Sequence, residues 1–454
     1  MKRRTTTVFF AMIVLMLVSS RPAAAENRYI VQTNGGLSSV LNLCNLLGCQ
    51  VQGALDGQIG KTFLVTSTGN LLANLVNGTL NRAESLLGIV SVEQDSLLGM
   101  ALPALPSIPS GLSDTAPVNY YGAVVSHGYA AQPAAQIIRL QDAQNGFGIS
   151  GTGIVALIDT GVDPNHPVLS PVLLEGYDFT RNQPGASEWL DVTGTPIDGN
   201  QSQNQQAGFV QQSTAAVLDQ STAAVLDGSP YVAFGHGTMT SGLVHLVAPT
   251  AKILPLKAFS ANGTGYLSNI VAALYYAVQN HANVVNMSFD LSSSSPSLQQ
   301  AVSHANKSGV VLVAAAGNEN TSARVYPAAM NGDVVGIAST TDWDARSSFS
   351  NYGSADVFVA APGENVISTY PGATYGSESG TSFSSPLVAG TVALLLSAKQ
   401  SGFNQSQVAN ALANAQVLMP DLNHGRLNVY QAVSAWVNGS SPTSTPSSCS
   451  LLCL

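Results

Sequence analysis

Six apolar runs constrain this chain more than any other feature: Ile154–Ile158, Ile253–Phe259, Val284–Phe289, Val310–Ala316, Val334–Ala338 and Val357–Ala360. Each has the length of a strand, and each is largely apolar instead of alternating. A strand with no polar face has to be covered on both sides. Helical stretches fall between some of the runs, notably Ser268–Asn280 and Ser297–Lys307. Together they predict an α/β fold, a doubly wound and mostly parallel sheet with helices on both faces. Sites in such sheets form at the carboxyl ends of the strands.

Two of those ends carry polar residues of interest. Asp159 closes the run Ile154–Ile158 and precedes Thr160-Gly161. A carboxylate there is placed to orient an imidazole, and it reads equally as an Asx-type turn cap. Asn318 closes Val313-Ala314-Ala315-Ala316-Gly317. Its amide could donate to an oxyanion, or it could be a turn Asn in a left-handed conformation.

Two further elements supply reactive groups. His236 lies between glycines in Gly235-His236-Gly237-Thr238, ahead of an apolar stretch. The glycines leave room around the ring, and a helix start would hold it; a turn histidine without a role is the alternative. His245 and His281, lacking such flanks, fit that alternative better. Gly380-Thr381-Ser382-Phe383-Ser384-Ser385-Pro386 runs into the apolar segment Val392–Leu396. It predicts a loop entering a buried helix, with Ser382 at the N-terminus and Pro386 in the first turn, where no N–H bond is lost. A helix start favours an oxyanion through its unpaired N–H groups and dipole. The residues amount to a nucleophile, a base, an orienting acid and an oxyanion donor.

The rest of the chain divides around this region. Lys2-Arg3-Arg4, the apolar run Val8–Val18 and Ala23-Ala24-Ala25 read as a signal peptide over residues 1–25. An uncleaved anchor is the alternative, but the run is short for a membrane span. Residues 26–98 read as a small α+β unit: strands at Arg28–Val31, Lys61–Thr66 and Ile89–Glu93, helices at Leu37–Leu47 and Leu71–Leu80, in a ferredoxin-like arrangement. Residues 99–133 begin with a Pro- and Ser-rich linker open to proteolysis, and the main domain is expected over 134–437. A polar insertion at 179–231 holds a tandem octet, Gln212–Asp219 and Gln220–Asp227, read as a neutral duplication in preference to a functional lid. The Ser-, Thr- and Pro-rich tail, 438–454, should be disordered. Cys44 with Cys49, and Cys449 with Cys453, could each close a small disulfide loop in an exported protein.

Composition excludes some classes. Net charge is -9, with no basic cluster beyond residues 2–4, which argues against nucleic-acid partners. Charged residues are only 9% of the chain, so the fold should tolerate mildly acidic surroundings.

The motifs resemble the three signatures of the subtilisin-like serine proteases: Asp159-Thr160-Gly161-Val162-Asp163, Gly235-His236-Gly237-Thr238 and the Ser382 element. The segment ending at Asn318 is similar to that family's oxyanion segment, and Asn286-Met287-Ser288 resembles its substrate-pairing edge. The unit at 26–98 resembles its propeptide more weakly. The resemblance implies a secreted serine endopeptidase, extracellular or periplasmic, with polypeptide substrates. Ser382 would attack, His236 would transfer the proton, Asp159 would orient the ring, and Asn318 with the Ser382 N–H would hold the oxyanion. Ser288, Phe289, Asp290, Gly317 and Val325 would contact substrate. The propeptide would act as an intramolecular inhibitor, removed by a cut between Ser96 and Tyr121. The resemblance also implies a monomer with no stable membrane anchor and no cofactor for the chemistry. No metal ligands are assigned, and the loop that builds a strong calcium site in relatives is absent, leaving calcium elsewhere open. Asp290 stands where the family commonly has glycine, which leaves the subsite shape there open; Val325 stands where it often has glycine at the floor of the main specificity pocket, so a narrow pocket preferring small or medium residues is expected. A dead protease fold used for binding, and the same triad acting on esters or in ligation, are the alternative readings.

Overall fold

The computed structural model describes residues 27–68, 72, 75–76, 88–99, 109–192 and 231–439. The signal segment, most of the expected second helix at 71–80, most of the Pro-rich stretch, the tandem octet and the tail with Cys449 and Cys453 lie outside the described residues.

The N-terminal unit is a four-stranded antiparallel sheet in the order β2-β3-β1-β4, made of β1 (Asn27–Thr33), β2 (Cys49–Ala54), β3 (Thr62–Ser67) and β4 (Ile89–Gln94). A helix, Gly36–Leu47, packs Val40 and Leu43 against Tyr29, Val31, Phe63 and Val65. It ends at Gly48 in the left-handed conformation, and a disulfide joins Cys44 to Cys49 across that turn. Strand β2 was not expected: Val51 is its only large apolar residue, and most of it faces outward. A short strand, β5 (Leu97–Gly99), leaves this unit to pair with the main body.

Residues 109–133 do not behave as a linker. They form a hairpin, β6 (Pro117–Tyr120) with β7 (Ala123–Ser126), and feed Tyr120, Val125 and Tyr129 into the main core. The Tyr129 hydroxyl donates to Gly242 O at 2.7 Å. The domain body therefore begins ahead of residue 134.

The body is built on an eight-stranded sheet in the order β10-β9-β11-β8-β13-β14-β15-β16. Its strands are β8 (Ile154–Asp159), β9 (Tyr177–Asp178), β10 (Gln183–Pro184), β11 (Lys252–Lys257), β13 (Val284–Met287), β14 (Val311–Ala315), β15 (Val335–Thr340) and β16 (Val359–Pro362). Only the β9–β10 pair is antiparallel. The apolar runs follow from this burial. Val155 and Leu157 face one core with the helices His236–Val247 and Thr381–Ala398; Ala156 and Ile158 face the other with Leu267–Gln279 and Pro296–Lys307. From β8 the chain adds β9, β10 and β11 on one side, then crosses back to add β13 on the other. The β8/β13 boundary is thus the switch point where such sheets open a crevice. Off the sheet, β12 (Thr264–Tyr266) pairs with β5, and β17 (Val366–Tyr370) with β18 (Thr374–Glu378).

The helix Thr381–Ala398 is buried all round, from Thr381 to Leu396. By length and composition it could cross a membrane, but 89% of it is buried inside the protein. It is a core helix.

Candidate active site

Asp159 ends β8 at the crevice and is buried. One carboxylate oxygen accepts the Thr160 N–H at 2.7 Å, and the other accepts the Thr240 hydroxyl at 3.1 Å. His236 opens its helix directly beyond, with Nδ1 2.7 Å from Asp159 Oδ1. The flanking glycines are sterically required: a Cβ at Gly235 would run into the Tyr370 ring, and one at Gly237 into the Gly161 carbonyl. Because Nδ1 is committed to Asp159, Nε2 is the nitrogen left to take a proton. Burial works against the imidazolium, but Asp159, by charge and hydrogen bond, and then Glu378 and Glu188 hold its pKa above the usual value.

Ser382 is the second residue of its helix and is buried. The His236 ring lies 5.1 Å, centroid to centroid, from Phe383, so the imidazole rests on the turn that carries the serine. The Ser382 hydroxyl donates to Ser288 O at 3.2 Å. Pro386 is not in the first turn. It lies inside the helix, where its missing N–H deprives the Ser382 carbonyl of its i+4 donor. The Ser288 hydroxyl supplies that bond at 2.9 Å and is itself held by Asn286 Nδ2 at 2.8 Å.

Asn318 reaches the same helix start. Its Oδ1 accepts the Thr381 N–H at 2.9 Å and the Thr381 hydroxyl at 3.0 Å. A backbone N–H can only donate, so the amide oxygen faces Thr381 and Nδ2 is the donor end. Gly317 N–H donates to Thr381 Oγ1 at 3.2 Å. Beyond Ser288, Phe289 is buried and Asp290 is half-buried. Burial, and then Glu319, push the Asp290 carboxyl up to about 7. Val325 is buried beside Tyr326, which pairs with Leu291. Asp159, His236, Ser382, Ser288, Gly317 and Asn318 therefore come together at one end of the sheet, whereas Phe289 packs against Phe259 in the core. His245 is elsewhere, packed in the core against the Tyr129 hydroxyl.

Several residues here were not expected from sequence. Glu188 is fully buried and bonds to the start of the His236 helix. It lies inside the stretch read as a polar insertion, yet residues 179–192 belong to the body. Lys257 is fully buried, its ammonium donating to Thr160 O at 2.6 Å, Phe259 O at 2.8 Å and Asp191 at 2.7 Å. Glu378, half-buried at the end of β18, has its carboxyl pushed up to about 8, burial outweighing the attraction of His236. No periodicity or motif marks these three. Among the described residues no group of three or more His, Cys, Asp or Glu is placed to hold a metal.

Comparison with known proteins gives the family. Residues 151–433 match the Subtilase family. A thermophilic serine proteinase of Bacillus sp. (strain AK1) is 34% identical over 62% of this chain and 61% of its own length. Thermitase of Thermoactinomyces vulgaris is 36% identical over 62% of this chain and 88% of its own. Subtilisin BL of Lederbergia lenta is 33% identical, covering 62% and 90%. The crystal structure of a lanthipeptide protease shares the fold, with a TM-score of 0.52 and 23% identity over 67% of this chain and 94% of that one. With the match covering most of the chain and the folded body built around it, the chain belongs to the subtilase family and is a serine-type endopeptidase.

Proposed function

We propose that Ser382, His236 and Asp159 form the triad of a secreted endopeptidase made as an inactive precursor. The observation that carries this is the 2.7 Å bond from His236 Nδ1 to Asp159, made where the imidazole rests on the Ser382 turn. Ser382 Oγ attacks the scissile carbonyl as His236 Nε2 takes its proton. The carbonyl oxygen, now negative, is met by Asn318 Nδ2 and the Ser382 N–H at a helix start. His236 then gives the proton to the leaving amine, and water hydrolyses the acyl-enzyme by the same steps in reverse. Asp159 keeps the ring in the tautomer with its proton on Nδ1. Ser288 and its neighbours pair with an extended substrate. Val325 narrows the main specificity pocket, favouring small or medium residues before the cut.

The N-terminal unit is the intramolecular inhibitor in this reading. Asp95 accepts the Ser268 N–H and hydroxyl, each at 2.8 Å, at one helix start, and Glu93 accepts the Ser297 N–H at 2.8 Å at the next. Carboxylates at helix N-termini are favoured by the dipole. From there β5 pairs antiparallel with β12, and the chain continues toward the expected cut between Ser96 and Tyr121. The test is to express the whole chain beside Ser382→Ala and follow both by intact mass. Loss of the N-terminal unit from the wild type alone is the expected result. Identical processing of both, with no cleavage of added peptides, would remove the proposal.

A further inference from the structure

Glu188 belongs to none of the motifs, yet its carboxylate is fully buried behind the candidate triad. Each of its oxygens accepts one backbone N–H and one hydroxyl. Oε2 takes the Gly235 N–H at 2.8 Å and the Thr160 hydroxyl at 3.2 Å. Oε1 takes the Thr238 N–H at 3.1 Å and the Thr238 hydroxyl. Gly235 precedes His236, Thr238 follows it by two residues, and Thr160 follows Asp159. The Thr160 hydroxyl oxygen also accepts the Gly237 N–H at 2.9 Å. One carboxylate thus ties the backbone on both sides of His236 to the backbone beside Asp159.

We propose that Glu188 is a positioning residue that sets His236 against Asp159, and that only a side chain with two acceptor oxygens can do so. The proposal rests on the catalytic reading above. The geometry distinguishes it from an ordinary helix cap. A cap stabilises the helix it precedes, whereas Glu188 comes from a separate segment and grips the Asp159 lip as well. That segment is itself anchored. Asp191, three residues on, accepts from Lys257 at 2.7 Å and from the Ala261 N–H at 2.6 Å. An amide in place of the carboxylate has one acceptor and one donor end. Either way round, its NH2 meets a backbone N–H, at Gly235 or at Thr238, and pushes on one flank of His236. The charged and titratable groups facing Glu188 are Lys257, Asp159 and His236.

The experiment compares wild type with Glu188→Gln in the self-processed full chain, using active-site titration to count competent sites. Expected is a loss in kcat per titrated site of about 10- to 100-fold, with KM held within about twofold. His236 is followed by its Nδ1–H resonance in a Ser382→Ala background. Glu188→Gln should lower the pH of half-titration by about half a unit or more, because a nearby negative charge is removed. A merely structural role would reduce the number of titrated sites and leave kcat per titrated site unchanged. Should Glu188→Gln not fold, Thr160→Val and Thr160→Ser decide the question. Val removes the hydroxyl that joins the two flanks and should reproduce the kcat loss, and Ser should restore most of it. If the wild type cleaves nothing, the catalytic reading itself has failed. If the wild type cleaves and Glu188→Gln or Thr160→Val matches it in kcat, this inference alone is overturned.

Discussion

Ser288 and Ser382 hold each other by two reciprocal bonds: the Ser382 hydroxyl donates to Ser288 O at 3.2 Å, and the Ser288 hydroxyl donates to Ser382 O at 2.9 Å. The second bond exists because Pro386 has no N–H to give. Ser288→Ala should leave a buried carbonyl without a donor at the residue proposed as nucleophile, costing about 1–3 kcal/mol of stability. Adding Pro386→Ala returns an N–H to that carbonyl, so the double variant should regain part of the loss. Denaturant unfolding of the four proteins in a Ser382→Ala background measures the coupling. Strict additivity would show that the proline and the Ser288 hydroxyl are unrelated.

The tie between His236 and Asp159 governs the pH profile. Asp159 accepts from Nδ1, so Asp159→Asn would present an amide that also fits the wrong tautomer. A fall in kcat of about 10⁴-fold is expected, with substrate binding little changed. The acid limb of kcat/KM reports the free-enzyme imidazole. Since Asp159, Glu378 and Glu188 outweigh burial to raise that group, the limb should lie above the ordinary histidine value. A limb below about 6.5 in steady-state rates would contradict this account.

How much of this was legible follows from what each residue does. The central strands were readable because both faces are buried, and burial writes itself as an unbroken apolar run. Gly235, Gly237 and the small residues around Ser382 were readable because close backbone approaches exclude side chains. Strand β2 was not, because it lies at a sheet edge with Val51 as its only large apolar residue. Glu188 was not, because its partners are backbone N–H groups and hydroxyls from remote segments. Pro386 was placed one turn too early. Proline is costly inside a helix unless another donor serves the orphaned carbonyl, and that donor, Ser288, is far away in sequence.

The N-terminal unit meets the body through Asp95, which also pairs with Arg28 at 2.8 Å. Asp95→Ala should free the Ser268 N–H and weaken docking without disturbing the main sheet. In the full chain carrying Ser382→Ala, hydrogen exchange at Ser268 should rise by about tenfold or more, as for loss of a charge-assisted bond of roughly 1.5–3 kcal/mol. Exchange at β14 should not change. Unaltered exchange at Ser268 would mean that the carboxylate is not what orders that helix start.

Buried carboxyls set how stability depends on pH. Burial pushes Asp290 up to about 7 and Glu378 up to about 8, while His236 is also raised. Each of these groups binds its proton more readily in the folded chain than in the unfolded one. Stability then decreases as pH rises through the interval between the unfolded and folded values. His245, lowered to about 4 by burial, and His166, also lowered by burial, act in the opposite sense, but only below the ordinary histidine value. Between about pH 8 and pH 6.5 the raised groups act without that opposition, so stability should increase on acidification. Glu378 and Asp290 are half-buried, so solvent screening keeps the effect small. Thermal unfolding of the Ser382→Ala protein across this interval tests it. The melting temperature should rise as pH falls, and Glu378→Gln should flatten the slope. A melting temperature that falls from about pH 8 to pH 6.5 would show that Glu378 and Asp290 stay ionised through the interval, solvent overcoming burial.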